Sequence, residues 1–469
     1  MSPNRYAKPL LLALPVLALF FALSVASASA ATTTHRENVS DLKDQAVQKT
    51  INTVKRKLPK DKTPGLEPSQ QPVKIKVTSC KQQLKDKRLA GFKCAWNAHG
   101  ELPGRVLLRS NGTAQVDAKA TDADVGKVQN ETEVQAPLVE DPHPIDFGYF
   151  EDFTQIDGLY DYASPQASGS SIIREGITWK VLQPDPNTPP SKWKWGQFDD
   201  FYNQALAEGL KPILTFRNPP CWAATGTCSA DQPDPINPDN IGDYAYAAAQ
   251  IAARYPQAYA IELFFEPNNA NLWGGPPDPK LFSDAVGAAA DAIHAVPGNT
   301  VKVYSGGLAP GEASSDKYPY YKYLDDALAA GGVQHADTIT FHAVTEVPYK
   351  KGKDPTDSYL GRLRIQAEWM LKEMRDHNVS LPIAFTQLSY STGEATYPYT
   401  EAQQGEALAA SYDLLRHIPD TESVIVSRLY DDGDGTKVEG FGVLHADHSP
   451  KPAYCDLAAA RGVSPPQGC

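Results

Sequence analysis

The chain has 469 residues with 44 basic and 56 acidic side chains, a net charge of −12. Such a surface repels nucleic acid and anionic membrane and suits an encounter with a neutral ligand. Six cysteines with no CxxC spacing and ten scattered histidines form no recognisable metal set, so no metal or other cofactor is expected.

Residues 1–30 read as a secretory signal peptide: a basic start with Arg5 and Lys8, the apolar run LLLALPVLALFFALSV, and a small-residue exit at Ala28-Ser29-Ala30. A transmembrane anchor is the weaker alternative, because the run is interrupted by proline and ends in a cleavage pattern. No other stretch is long and apolar enough to span a bilayer. The mature chain is expected to be extracellular, secreted or held at the cell surface, and monomeric. Six cysteines in an exported chain allow fifteen pairings. Their spacing groups them as Cys80 with Cys94, Cys221 with Cys228 and Cys455 with Cys469, and these local loops are expected.

Residues 31–72 form a polar linker with one amphipathic helix candidate, SDLKDQAVQKTINTVKRKL, whose Leu42, Val47, Ile51, Val54 and Leu58 fall loosely on one stripe. Residues 73–118 alternate apolar and polar side chains in VKIKVTSC and AGFKCAWNA, and Asn111-Gly112 is the dipeptide of a tight hairpin turn. A small β unit clipped by one disulfide is expected there, with Trp96 filling its core rather than stacking on a sugar. The acidic, polar residues 119–142 read as a second linker.

From residue 143 to 461 the pattern alternates between strands and helices, with a short tail at 462–469. Apolar strand candidates are IDFGYF, SSIIREGITW, LKPILTF, AYAIELFFE, VKVYSGG, DTITFHAV, LPIAFTQL and SVIVSRLY. Between them lie helical stretches with apolar faces at 3.6 spacing, among them GQFDDFYNQALAEG and PKLFSDAVGAAADAIHAV. Eight such units predict an α/β fold, a (β/α)8 barrel. A doubly wound open sheet is the alternative, but no glycine-rich phosphate turn follows the first strand. In a barrel the chemistry gathers where strands end. That rule selects Glu151, Asp152, Arg174, Trp222, Glu266, His342, Glu346, Gln387, Tyr390 and the stretch from Tyr430 to Asp434.

Three pieces carry a family likeness. IIREGITWKVLQP followed by WGQFDDFYNQALAEGLKPILTFRNPPCWA, then IELFFEPNNANLW, then FGVLHADHSPKPAY resemble, in order and spacing, clan A of the glycoside hydrolases. Those are (β/α)8 retaining enzymes that include family 5-like cellulases and the β-xylosidase-like family 39. The resemblance implies a carbohydrate ligand and a pair of carboxylates. One protonates the leaving oxygen, and the other, about 5 to 5.5 Å away, attacks the anomeric carbon. By the same resemblance Glu266 stands at the acid/base position on the fourth strand, and Arg174, Trp222, Phe265, Trp273, His342, Tyr390 and Tyr430 stand where substrate is bound.

The departures from the pattern fall together. Phe265 replaces the asparagine that precedes the acid, His342-Ala343-Val344 replaces His-x-Tyr, and Thr386-Gln387-Leu388-Ser389 places an amide where the attacking glutamate belongs. An amide oxygen is a poor nucleophile and carries no charge, although glutamine keeps the shape of glutamate and both donates and accepts hydrogen bonds. The retaining mechanism is therefore expected to be lost. Three functions stay open: an extracellular carbohydrate-binding protein on a hydrolase barrel, an inverting glycosidase whose base is Glu346, Asp431 or Asp432, about 6.5 to 9.5 Å from Glu266, or a purely structural or protein-binding role with the β unit as the contact surface. Each singled-out residue also has a plainer role. Trp222 and Trp273 serve a core as readily as a sugar, Arg174 with Glu175 serves as a charge pair, and Glu262 is expected to be buried and hydrogen-bonded.

Overall fold

A computed structural model describes residues 42–54, 74–85, 88–102, 106–117, 129–134, 141–150, 163–226, 228, 233–311, 317–344, 349, 359–393, 395, 397–431, 440–464 and 466–469. The signal-peptide reading, Glu151, Asp152, Glu346 and Asp432 lie outside the described residues. The chain divides into two compact units.

The smaller unit is built on a helix at 42–54 and an antiparallel sheet of β1 (Lys74–Lys85), β2 (Arg88–Leu102), β3 (Val106–Asp117) and β4 (Gln129–Val134), in that order. The helix buries Ala46, Thr50, Thr53 and Val54, so Val54 of the expected stripe is buried while Leu42, Val47 and Ile51 are half-buried, and Leu58 lies outside the described residues. Cys80 pairs in register with Cys94 between β1 and β2 and is disulfide-bonded to it, and Trp96 is buried. Two expectations are corrected here. Asn111-Gly112 does not make a turn: both residues lie inside β3, which runs between β2 and β4, and pairing within a sheet overrides a local turn preference. β4 falls in the stretch read as linker, since its sequence QNETEV has no apolar alternation to announce a strand.

The larger unit is a (β/α)8 barrel. Its strands are β5 (Asp146–Phe150), β6 (Ile172–Thr178), β7 (Lys211–Arg217), β8 (Ala260–Leu263), β9 (Lys302–Tyr304), β10 (Ile339–Val344), β11 (Ile383–Ser389) and β12 (Thr421–Ser427), one overlapping each predicted run. They pair in parallel in the order β10-β11-β12-β5-β6-β7-β8-β9. The remaining seam, between β9 and β10, is held by bridges Tyr304–Thr338 and Leu308–Phe341 and by the hydrogen bond from Ser305 N to Thr338 O. Helices Gly196–Ala207, Ile241–Arg254, Pro279–His294, Tyr359–Asp376 and Glu401–Arg416 match the predicted stretches, and Tyr320–Ala330 and Pro452–Ala460 join them.

The interior is layered. Phe150, Ile172, Ile213, Ala260, Tyr304, Ala384 and Ile425 fill the barrel floor as one apolar cluster. A second and larger cluster lies between the strands and the surrounding helices. Disulfides Cys221–Cys228 and Cys455–Cys469 clip two loops of this unit, so all three local pairings hold.

Candidate active site

Side chains from β6, β7, β8, β10 and β11 meet in one polar chain of contacts inside the barrel. Arg174, in the middle of β6, is fully buried, with its guanidinium carbon 4.7 Å from the centre of the Phe150 ring that belongs to the floor. Burying a guanidinium is tolerable only if it is paired, and Glu262 on β8 meets it. Arg174 Nε and Nη2 donate to Glu262 Oε2 at 2.7 and 2.5 Å. Thr215 Oγ1 donates to the same oxygen at 3.0 Å, and Thr386 Oγ1 donates to Oε1 at 2.6 Å. Burial alone would push the Glu262 carboxyl up, but the Arg174 charge, the electrostatic attraction of His342 and the Thr386 hydroxyl bring it below its ordinary value. Glu262 is thus a structural carboxylate, as its phase on the strand predicts.

The chain continues towards the mouth. His342, buried on β10, has Nε2 3.3 Å from Arg174 Nη2 and Nδ1 3.1 Å from Glu266 Oε1. The other oxygen of Glu266 accepts from Asn269 Nδ2 at 2.9 Å. Burial again works to raise the Glu266 carboxyl. The hydrogen bond and electrostatic attraction of His342, then the hydrogen bond from Asn269 and the charge of Lys317, outweigh it and hold the group below the usual carboxylate range. Glu266 lies three residues beyond β8, with a positive φ of 48°, and Phe264 before it has φ 67°. For side-chain-bearing residues this conformation is strained and is retained where the surroundings impose it. Here the imposing contact is backbone pairing, Glu266 N to Gly307 O at 3.0 Å. Gly307 itself has to be glycine, because a Cβ there would collide with His342 Nε2.

Gln387 enters beside this chain. It is the register partner of His342 between β11 and β10. Its Nε2 donates to Ser427 Oγ on β12 at 3.2 Å, while its Oε1 is buried with no hydrogen-bond partner. Phe265 roofs the arrangement: its ring centre is 4.7 Å from that of His342, 5.3 Å from the Arg174 guanidinium carbon and 5.1 Å from that of Arg217. Beyond Phe265 opens a pocket of about 290 Å3, open solvent included, with Arg217, Asn218, Asp234, Phe264 and Trp273 on its walls.

The structure therefore gathers Arg174, Glu266, Phe265, His342 and Gln387, with Trp273 on the neighbouring pocket. Of the other predicted residues that the structure describes, Trp222, Tyr390 and Tyr430 are used for packing and Asp431 for an ion pair. The half-buried Trp222 packs edge-on against Trp179 at 5.3 Å and donates from Nε1 to Gln183 O at 3.3 Å. Tyr390 is buried, stacked on Tyr399 at 5.2 Å, with its hydroxyl 2.8 Å from Ser411 Oγ, which leaves it no open face for a ligand. Tyr430 is buried against His448 at 4.4 Å. Asp431 is held by the buried Lys451 at 2.6 Å and by Gly442 N at 2.9 Å, so it is committed to an ion pair. Asn269, Ser427 and the two threonines were not foreseen. Asn269 had a readable signal: Asn-Asn-Ala after Glu-Pro is a helix N-cap, and the Asn269 side chain caps Ala270–Trp273 while reaching back three residues to Glu266.

No family model matches the chain, and no curated protein matches it. Solved structures do. A monomeric β-xylosidase from Caulobacter crescentus CB15 aligns at a TM-score of 0.51 and 17% identity over 70% of each chain. A family 39 β-xylosidase from Caulobacter crescentus aligns at 0.50 and 17% identity, covering 70% of this chain and 74% of that one. A family 39 glycoside hydrolase from Bacteroides cellulosilyticus WH2 aligns at 0.48 and 17% identity over 82% and 79%. The structural neighbours are clan A glycoside hydrolases with a (β/α)8 barrel, and at this identity the likeness establishes the fold.

Proposed function

We propose that the barrel mouth is a saccharide-binding site in which Glu266 is the anionic anchor and Gln387 fills the place of an attacking carboxylate, so that the protein holds poly- or oligosaccharide without forming a glycosyl ester. The single observation that carries this reading is the surroundings of Glu266. Among the described residues the side chains bonded to it are His342 and Asn269, and the neighbour paired with His342 is the amide Gln387. An amide there can hold a hydroxyl, and it cannot attack an anomeric carbon usefully. The glycosidase neighbours support a carbohydrate as the ligand class. Export is supported by three disulfides and by the N-terminal pattern. The inverting alternative loses one of its three bases, because Asp431 is spent on Lys451.

The test is a glycan panel read twice, for binding and for released reducing sugar. Wild-type protein is expected to bind members of the panel saturably and release nothing, and Gln387→Glu is expected to gain slow hydrolysis. Release of sugar by wild-type protein, or absence of binding across the panel, would overturn the reading.

A further inference from the structure

The donors and acceptors along the buried chain leave little freedom in where its protons sit. Arginine is donor-only and always charged. Of the two protons on Arg174 Nη2, one serves Glu262 at 2.5 Å and the other faces His342 Nε2 at 3.3 Å. His342 Nε2 must then present its lone pair, so the neutral imidazole carries its proton on Nδ1 and donates it to Glu266 Oε1, 3.1 Å away. Charging the ring would set N–H against N–H, both on cations, in a place closed to solvent. The second contact of Glu266 is equally one-sided. Asn271 N donates to Asn269 Oδ1 at 3.2 Å, which fixes the amide so that Nδ2, a donor, is the atom turned to Glu266. Both oxygens of Glu266 thus already face donors, and Lys317 adds a further positive charge on the same side of the balance. Glu262, the other carboxylate of this contact network among the described residues, is itself saturated by Arg174, Thr215 and Thr386 and is linked to Glu266 through Arg174 and His342.

We propose that Arg174 and His342 are positioning residues that together deny Glu266 a proton, so that the mouth accepts hydrogen bonds from ligand hydroxyls and does not act as a proton donor. The ligand class this selects is one that brings a hydroxyl donor to Glu266; a ligand presenting a carboxylate at that point would set anion against anion. In naming a ligand the inference rests on the saccharide reading above, whereas the proton placement is a property of the unliganded protein and is tested without ligand.

The experiment is a site-resolved titration of the full chain, following imidazole nitrogens of His342 and the side-chain carboxyl carbon of Glu266 by NMR. The expected spectrum has His342 neutral with its proton on Nδ1 at pH 7, and Glu266 titrating below the ordinary glutamate value. His342→Gln, whose amide can donate to Glu266 and accept from Arg174, should leave the Glu266 midpoint low. His342→Phe should raise it by about one pH unit, because a hydrogen bond to the charged form is lost. A His342 protonated on Nε2 or on both nitrogens, a Glu266 that is protonated at neutral pH, or equal midpoints in the Gln and Phe variants would each overturn the proposal. Should His342→Phe not fold, the wild-type spectrum still decides. A failed glycan panel with the expected spectrum defeats the saccharide reading alone, and the reverse result defeats only the proton assignment.

Discussion

Two carboxylates occupy opposite ends of the same barrel with nearly the same exposure, 12% for the Glu422 side chain at the floor and 13% for Glu266 at the mouth. Burial therefore does not separate them; their donors do. Glu422, the second residue of β12, accepts from Lys302 Nζ at 2.5 Å, Tyr259 Oη at 2.8 Å, Tyr304 Oη at 3.0 Å and Thr338 Oγ1 at 2.6 Å. Those partners lie on or beside β8, β9 and β10, so one side chain ties β12 across the seam that closes the barrel. Glu266 has two side-chain donors, keeps capacity to accept more, and stands on strained backbone. A saturated acid holds a fold, and an unsaturated one is available to a ligand. The N-terminal ends of barrel strands are in general where stability is invested and the C-terminal ends where chemistry is.

The largest effect expected from this contrast is at the floor. Glu422→Ala should cost about 2–3 kcal/mol in denaturant unfolding, the loss of several charge-assisted hydrogen bonds tempered by a half-exposed Lys302. Saccharide binding at the mouth should be unchanged. The cost depends on pH with a definite sign. The Glu422 carboxyl is pushed up by burial, but Lys302 and Thr338 bring it below its ordinary value, so its contribution is present above about pH 4.5 and is lost as pH falls below that. The difference between wild type and variant should shrink in acid. A loss under about 1 kcal/mol at pH 7 would mean that the seam is held by backbone pairing alone.

A third carboxylate sharpens the rule by breaking it. Glu373, on the helix Tyr359–Asp376, is buried, and Lys372 Nζ stands at the long distance of 3.7 Å from its Oε1. Burial pushes its carboxyl up to about 7, with Asp325 and Asp376 adding negative charge nearby. Here the folded value lies above the unfolded one, so ionised Glu373 costs the fold. That cost is absent below about pH 4.5, grows between 4.5 and 7, and is full above 7. Glu373→Gln should stabilise the protein by about 2 kcal/mol at pH 8 and change nothing at pH 4, measured by urea unfolding at both values. A variant no more stable than wild type at pH 8 would show that donors outside this pair already serve the group.

How much of this was legible in the sequence follows from the range of each interaction. All eight barrel strands were readable because each is an apolar run buried on both faces, and Glu262 was placed correctly by strand phase. The turn at Asn111-Gly112 and the strand at Gln129–Val134 were misread because strand pairing, a non-local term, decides both. At the mouth, Glu266 and Gln387 were found through motif positions. Whether Tyr390, Trp222 and Asp431 face a cleft or a core depends on the neighbours they meet. Tyr399, Trp179 and Lys451 come from other segments of the chain, and no local pattern announces those contacts. The tautomer of His342 is further still from the sequence, since it depends on Arg174 lying 168 positions away.

The smallest stability effect, and the sharpest contrast with the floor, is expected at Glu266. Glu266→Gln keeps the shape and lets one oxygen continue to accept from one donor, but the new amide nitrogen must face either His342 Nδ1–H or Asn269 Nδ2, a donor against a donor. Since the side chain is 13% exposed, the amide can turn part of that conflict towards water, and the expected destabilisation is within about 1 kcal/mol. Binding should suffer far more, because the anion that receives the ligand hydroxyl is gone. A charge-assisted hydrogen bond replaced by a neutral one weakens the dissociation constant by roughly tenfold or more. Calorimetric titration with a glycan that binds wild-type protein, beside urea unfolding of the same samples, reads both quantities. If Glu266→Gln unfolded as readily as Glu422→Ala while binding as tightly as wild type, the two ends of the barrel would have exchanged their assigned roles, and the mouth carboxylate would have to be counted as part of the scaffold.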